Sequence, residues 1–248
     1  MRIVFRAAAS RAIAVSADGL NYAGLEWGNS EGHPIIALHG WLDNALSFAS
    51  LAPLLCDFRV IALDLSGHGL SDHRSPDATY NIWDDVPQLL SIFERLDLPR
   101  LALLGHSRGA AISVLLAAAL GSRCSHLVLL DGMLPYPTED VSAASQFLQA
   151  QKDHEALSSY EPRIFRDYAE FVAARVRLGF SEESAQILAP RAIRRVSDGF
   201  VLNHDPRLNH NSAIKLTPTM CSAFYDAVTA PTLALIAENG LRVRAGLG

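Results

Sequence analysis

Apolar residues come in short, turn-bounded runs through the first half of the chain. Residues 12–15 and 20–26 predict two strands, the second with the weak alternation of a sheet edge. Pro34–Leu38 and Arg59–Leu63 are apolar runs of strand length, and positions 46–55 between them fall at helical spacing. The stretch 80–96 is amphipathic: Ile82, Val86, Leu89, Leu90 and Phe93 share one helical face, with Pro87 in the first turn or at a kink. A strand over 101–104, an Ala-rich helix over Arg108–Leu120 and a strand over 127–130 continue the alternation. Strand and helix in turn predict an α/β fold, a mostly parallel, doubly wound sheet covered on both faces.

The rhythm stops after Asp131. Residues 135–229 read as helical and more charged, with no clear strand; 142–157, 163–178 and 181–188 are the helix candidates. An apolar strand returns at 231–236. Such an insertion between two sheet strands predicts a helical cap over the active face. Residues 1–134 and 230–248 then form the core and 135–229 the cap. An independent helical domain is the competing reading, which the returning strand disfavours.

Half of the 248 residues are hydrophobic, enough for a sizeable α/β core. The net charge of −5 is unclustered, which gives no footprint for nucleic acid. No uncharged apolar run reaches the ~18 residues of a membrane span. Cys56, Cys124 and Cys221 are few, odd in number and far apart. They predict free, mostly buried thiols in a reducing compartment, hence a cytoplasmic protein. The first 17 residues carry Arg2, Arg6 and Arg11 and no acid, without the apolar core of a secretory signal. A transit peptide is disfavoured, because 12–15 also reads as a strand.

Chemistry concentrates at three glycine-rich turns, each directly after a strand. Gly105-His106-Ser107-Arg108-Gly109 reads G-x-S-x-G between an apolar strand and a helix, the context of a nucleophile elbow. A sharp turn lifts the serine alcohol clear, and the glycines keep side chains from blocking it. The alternative is a structural turn with an inert serine. His39-Gly40-Trp41 follows the strand Pro34–Leu38. There glycine lets an N–H face a developing oxyanion, so the backbone N–H groups of Trp41 and Arg108 are the expected donors. Asp64-Leu65-Ser66-Gly67-His68-Gly69-Leu70-Ser71 fits D-x-x-G-x-G-x-S, and Asp64 is expected to tie that loop by hydrogen bonds rather than to catalyse. Asp131 follows the strand 127–130 on the same edge as Ser107.

These motifs resemble the α/β-hydrolase fold superfamily. Within it, His39-Gly40-Trp41-Leu42-Asp43-Asn44-Ala45 with Ser47-Phe48 is similar to the serine hydrolase-like protein branch. The resemblance runs from about Ala12 to Leu241. It implies an eight-stranded, mostly parallel sheet, a helical cap and a triad in the order Ser, acid, His. It also implies an acyl-enzyme, with no metal and no organic cofactor. Ser107 is then the nucleophile, with Trp41 and Arg108 supplying the oxyanion hole.

The acid and the base depart from the pattern. The usual acid lies a few residues past the strand after the cap, where this chain has Ala237-Glu238-Asn239-Gly240, with Gly240 at the place the resemblance implies for an aspartate and Glu238 two positions early. Some relatives place it after the strand that follows the nucleophile helix, and Asp131 falls there. Asp131 is preferred to Glu238 as the acid, against a plain loop-capping role. The base should follow one more helix and strand, but only twelve residues come after Ile236 and none is histidine. Read so, the core is C-terminally incomplete. His39, His106, His68 and His73 belong to the glycine turns, with the His106 side chain expected under the sheet edge. His33 and His126 precede strands at the opposite end, and His154 lies on a cap helix. His204 and His210 fall in a cap segment that could overhang the site. An ordinary structural role is the better reading for each.

Cap aromatics Phe147, Phe165, Phe171 and Phe180 read mainly as cap core, any remainder lining an apolar acyl pocket. Arg191, Arg194 and Arg195 read as a solvated face. A small-molecule apolar ester is the expected partner, with neither membrane nor nucleic acid, and the oligomeric state stays open. Dehalogenase or epoxide-hydrolase chemistry would need aspartate at the elbow. The rival from another class is a catalytically inactive homologue that only binds.

Overall fold

The computed structural model describes residues 10–138, 140–238 and 240. The leader reading falls largely on residues 1–9, and the ragged stretch 241–248 is also outside the described residues. Strands β1 (Arg11–Ala17) and β2 (Leu20–Gly28) form a hairpin. Its two turn residues, Asp18 and Gly19, have φ of 50° and 79°, the positive pair that matches a tight turn to the strand twist. β2 pairs antiparallel with β4 (Arg59–Leu63). From there the sheet is parallel through β3 (Pro34–Leu38), β5 (Leu101–His106), β6 (Cys124–Leu130) and β9 (Thr232–Leu235). The strand order is β1-β2-β4-β3-β5-β6-β9. Seven strands of this sheet thus stand among the described residues where the family pattern implies eight. β9 lies at the edge with Leu233 and Leu235 each about half exposed.

Central strands are apolar throughout because both sheet faces are covered. Ile36, Leu38, Ile61, Leu63, Leu101 and Leu103 share one cluster with α1 (Asp85–Arg95), the Ala-rich α2 (Arg108–Leu120) and Cys221. On the opposite face Ala37, Val60, Ala62 and Leu104 pack with Phe48 and Ala52.

Two helix expectations are corrected at their starts or in type. The 46–55 stretch forms two short 3₁₀ turns, Ala45–Phe48 and Ala52–Leu54, the second carrying Pro53. The 80–96 stretch becomes helical only at Asp85, because Asp84 accepts the Asn81 N–H through its carboxylate (2.8 Å) and holds a turn ahead of the helix. Pro87 then sits in the first helical turn, where its missing N–H costs nothing.

The inserted segment holds α3 (Ala143–Ala156), α4 (Tyr168–Arg177), α5 (Glu182–Ala192) and α6 (Pro218–Asp226). It also contains a hairpin, β7 (Ile193–Val196) with β8 (Gly199–Leu202), which corrects the expectation of a strand-free insertion. Phe165 exchanges both backbone hydrogen bonds with Phe200 (2.8 and 2.7 Å), so the 163–167 stretch is extended. α4 begins only after Asp167, whose carboxylate accepts from the Glu170 N–H at 2.8 Å. Phe165 and Phe171 are the buried centre of this segment, while Phe147 is exposed.

Candidate active site

Ser107 sits between β5 and α2 with φ 51° and ψ −113°, a conformation costly for any residue with a side chain. Its surroundings hold it there. The Ser107 N–H donates to the Leu130 carbonyl at 3.0 Å, and its carbonyl accepts from Ala110 at 3.0 Å. A Cβ at Gly109 would lie 2.0 Å from the Leu38 carbonyl oxygen, and one at Gly105 would lie 2.5 Å from Ala110 Cα. Both motif glycines are therefore required by close backbone approach.

The turn after β3 stands opposite. Gly40 accepts from the Asp43 N–H (3.2 Å), and Leu42 between them has φ 58°. Trp41 and Arg108 both line a cavity of about 810 Å³ together with Ser107, Asp131 and Gly40. Neither the Trp41 nor the Arg108 backbone N–H has a hydrogen-bond partner among the described residues. Arg108 opens a helix, so its N–H is one of the donors a helix leaves free.

Asp131 also has positive φ (44°). Its N–H donates to Leu235 (2.7 Å), and its carboxylate accepts from the Ala237 N–H (3.2 Å). A Cβ at Gly240 would lie 2.4 Å from Asp131 Oδ1. The segment after β9 therefore comes back to Asp131, and glycine at 240 leaves the space to the Asp131 carboxylate. Glu238 is exposed and does not line the cavity.

Asp64 is fully buried and accepts from the backbone N–H groups of Ala45 (2.7 Å) and Leu70 (2.8 Å). It also takes Nε and Nη2 of Arg191 at 3.0 and 2.7 Å. Arg191 is thus a buried tie, which corrects its place in a solvated face; Arg194 and Arg195 are exposed.

The nine histidines are all described, and none hydrogen-bonds Ser107 or Asp131 among the described residues. His39 is buried, contacts the Gly40 carbonyl through Nδ1 (2.7 Å) and accepts the Leu65 N–H at Nε2 (3.0 Å). Burial holds its pKa below the ordinary histidine value, against an opposing pull from Asp64. His68 is buried against His39, ring centroids 4.9 Å apart, and burial holds its pKa well below that value. His106 is corrected: its ring lines the Ser107 cavity beside Gly40 rather than lying beneath the sheet. His204 and His210 line neighbouring cavities and not the one that holds Ser107. His126 lies within β6 rather than before it.

Sequence reasoning missed the side-chain role of Arg108. Its guanidinium donates to Asp85 (2.8 Å) and to the Tyr80 carbonyl (2.9 Å). Asp85 also accepts from Arg74 (2.9 Å) and Ser66 (3.2 Å), all in a buried group behind the elbow. An acid just before the apolar face of α1 was the available signal. Arg175 was missed as well. It lines the cavity, pairs with Asp43 at 2.8 Å and lies 3.8 Å above the Phe180 ring. Of the four cap phenylalanines read from the sequence, Phe180 lines the cavity, together with Tyr136. No three His, Cys, Asp or Glu among the described residues converge on a metal-sized point. No helix among them is long and apolar enough to cross a membrane.

Residues 33–244 match the model of the alpha/beta hydrolase fold family. A serine hydrolase-like protein of Danio rerio is 32% identical over 225 residues, covering 88% of this chain and 69% of that protein. The crystal structure of a hypothetical protein from Pseudomonas aeruginosa PAO1 superposes with a TM-score of 0.90 at 38% identity, over 94% of this chain and 83% of that one. The thioesterase domain from the curacin biosynthetic pathway gives 0.78 at 25% identity, over 91% and 82% of the two chains. The half-buried Ser107 thus stands above a parallel sheet of the kind this family is built on: the chain belongs to the α/β-hydrolase fold family, in the branch of the serine hydrolase-like proteins.

Proposed function

We propose that this chain is a serine hydrolase of carboxylic esters, with Ser107 as nucleophile and an acyl-enzyme intermediate. Ser107 Oγ attacks the ester carbonyl and the alcohol leaves. Water then cleaves the acyl group from Oγ. The N–H groups of Trp41 and Arg108 hold the oxyanion, and Asp131 is the acid of the site. The observation that carries this reading is the strained Ser107, held at φ 51° in a cavity it shares with two unpartnered backbone N–H groups. Ile82, Met133, Leu134 and Phe180 line that cavity and favour an apolar ester.

A serine alcohol without an adjacent base is a weak nucleophile at neutral pH. An oxyanion hole and binding alone leave a residual acceleration of roughly 10³–10⁴ over water. Among the described residues no histidine hydrogen-bonds Ser107, which favours a second reading, a homologue that binds its ligand without turning it over. A fluorophosphonate probe on the chain and on Ser107→Ala separates the two. The hydrolase reading expects weak, Ser107-dependent labelling that quickens with added imidazole. Labelling that survives in Ser107→Ala refutes the assignment of the nucleophile, and none at all with imidazole present supports the binding protein.

A further inference from the structure

We propose that the inserted segment sets the geometry of the oxyanion turn, with Arg175 and Asp43 as its positioning residues. The inference rests on the reading of the Trp41 N–H as an oxyanion donor. The turn Gly40–Asp43 is strained at Leu42, whose φ of 58° is a left-handed conformation that a leucine adopts at a cost. Such conformations persist only where the surroundings over-determine them. Here the surroundings come from the inserted segment, residue by residue. Trp41 Nε1 donates to the Leu208 carbonyl at 2.8 Å. Asp43 Oδ1 accepts from Arg175 Nη2 on α4 at 2.8 Å. Asn44, fully buried, donates to the Leu188 carbonyl on α5 at 3.0 Å. Ala45 donates to Asp64, which Arg191 grips from the end of α5.

Three direct contacts, at Trp41, Asp43 and Asn44, and a fourth through Asp64 thus join residues 41–45 to three separate parts of the insertion, and the strained Leu42 lies between two tethered neighbours. The Asp43–Arg175 pair is the most telling of these. Its side chains keep only 9% and 14% of their exposure. Taking two charges out of water costs about as much as their attraction returns, so such a pair is weak evidence for stability and better evidence for a fixed geometry. Phe180 beneath the guanidinium and the walls of the Ser107 cavity around it fix where the pair stands. Displacing α4 moves Asp43, and with it the turn that aims the Trp41 N–H. The oxyanion donor is therefore in place only when the insertion is seated.

Hydrogen–deuterium exchange and residual p-nitrophenyl acetate turnover test this in the full chain. The variants are Arg175→Ala, Asp43→Ala, the double variant and Arg175→Lys. Peptides spanning 40–46 should exchange about tenfold faster in each alanine variant, while those spanning 101–112 stay unchanged. The double variant should fall well short of the sum of the singles, because both remove one contact. The Ser107-dependent kcat should fall roughly 10- to 100-fold with KM within about twofold, as expected for a displaced oxyanion donor. Arg175→Lys should restore part of both. If Arg175→Ala does not fold, Arg175→Lys carries the test with a smaller change of the same sign. Faster exchange in α4 with 40–46 unchanged overturns the proposal. Faster exchange at 40–46 with no Ser107-dependent turnover even in the parent chain upholds the coupling and refutes the hydrolase reading.

Discussion

Replacing Asp64 by alanine tests the claim that the most buried acid near the site is structural. The carboxylate has no exposure and accepts from four nitrogens of three partners: Nε and Nη2 of Arg191, and the Ala45 and Leu70 N–H groups. Its removal strands a guanidinium whose side chain is only 10% exposed. Breaking one side of a buried ion pair costs about 3–5 kcal/mol, and each stranded N–H adds about 1 kcal/mol. Water entering the vacated space recovers part, so a loss of about 4–6 kcal/mol is expected, a large share of the ~5–15 kcal/mol that holds a domain folded. In a chain of this size that lowers the melting temperature by roughly 10–20 °C. Urea denaturation of Asp64→Ala, Arg191→Ala and the double variant measures it. Arg191→Ala should cost less than Asp64→Ala, since the carboxylate keeps both backbone donors. The double variant should recover at least about 1 kcal/mol of the Asp64→Ala loss, because no unpaired charge remains. A loss below about 1 kcal/mol for Asp64→Ala, or strict additivity, refutes this accounting.

Acid should weaken the fold. Burial holds His39 and His68 below the ordinary histidine pKa, and burial with Arg175 nearby lowers His204 to about 4. The unfolded chain then takes up protons that the folded chain refuses. Stability is full above pH ~6.5 and falls toward pH ~4 by up to about 1.4 kcal/mol per unit for each histidine. Urea midpoints at pH 7 and pH 5 should show the drop, and His204→Gln should flatten it. Gly240→Ala should destabilise by about 1–2 kcal/mol, because its Cβ meets the Asp131 carboxylate. Asp131→Gly should relieve that loss in a thermal melt, and equal losses in the two backgrounds would sink the idea.

Strand-to-turn junctions were legible because their chemistry is local. A strand's last apolar residue followed by Gly or His-Gly places β3, β5 and their turns without knowledge of any partner. The β7–β8 hairpin was missed although Asp198-Gly199 is a turn signal, since four-residue strands carrying exposed Arg194 and Arg195 show no apolar alternation. Arg191 and Arg175 were unreadable for another reason. Their partners, Asp64 and Asp43, lie 127 and 132 residues away, and no pattern on their own helices announces a buried mate. The same holds for the Asp85 group, which joins the loop after β4, α1 and α2.

The convergence of Asp131 and Gly240 bears on how kinship to other hydrolases is measured. The seat of the carboxylate is a point in space reached by two backbones, one leaving β6 and one leaving β9. A tally made column by column along aligned chains would score position 240 as an acid lost and position 131 as an acid unrelated to it. Measured in three dimensions the two positions are neighbours: under the proposed assignment the carboxylate is delivered from β6, and the glycine on the segment after β9 leaves it room.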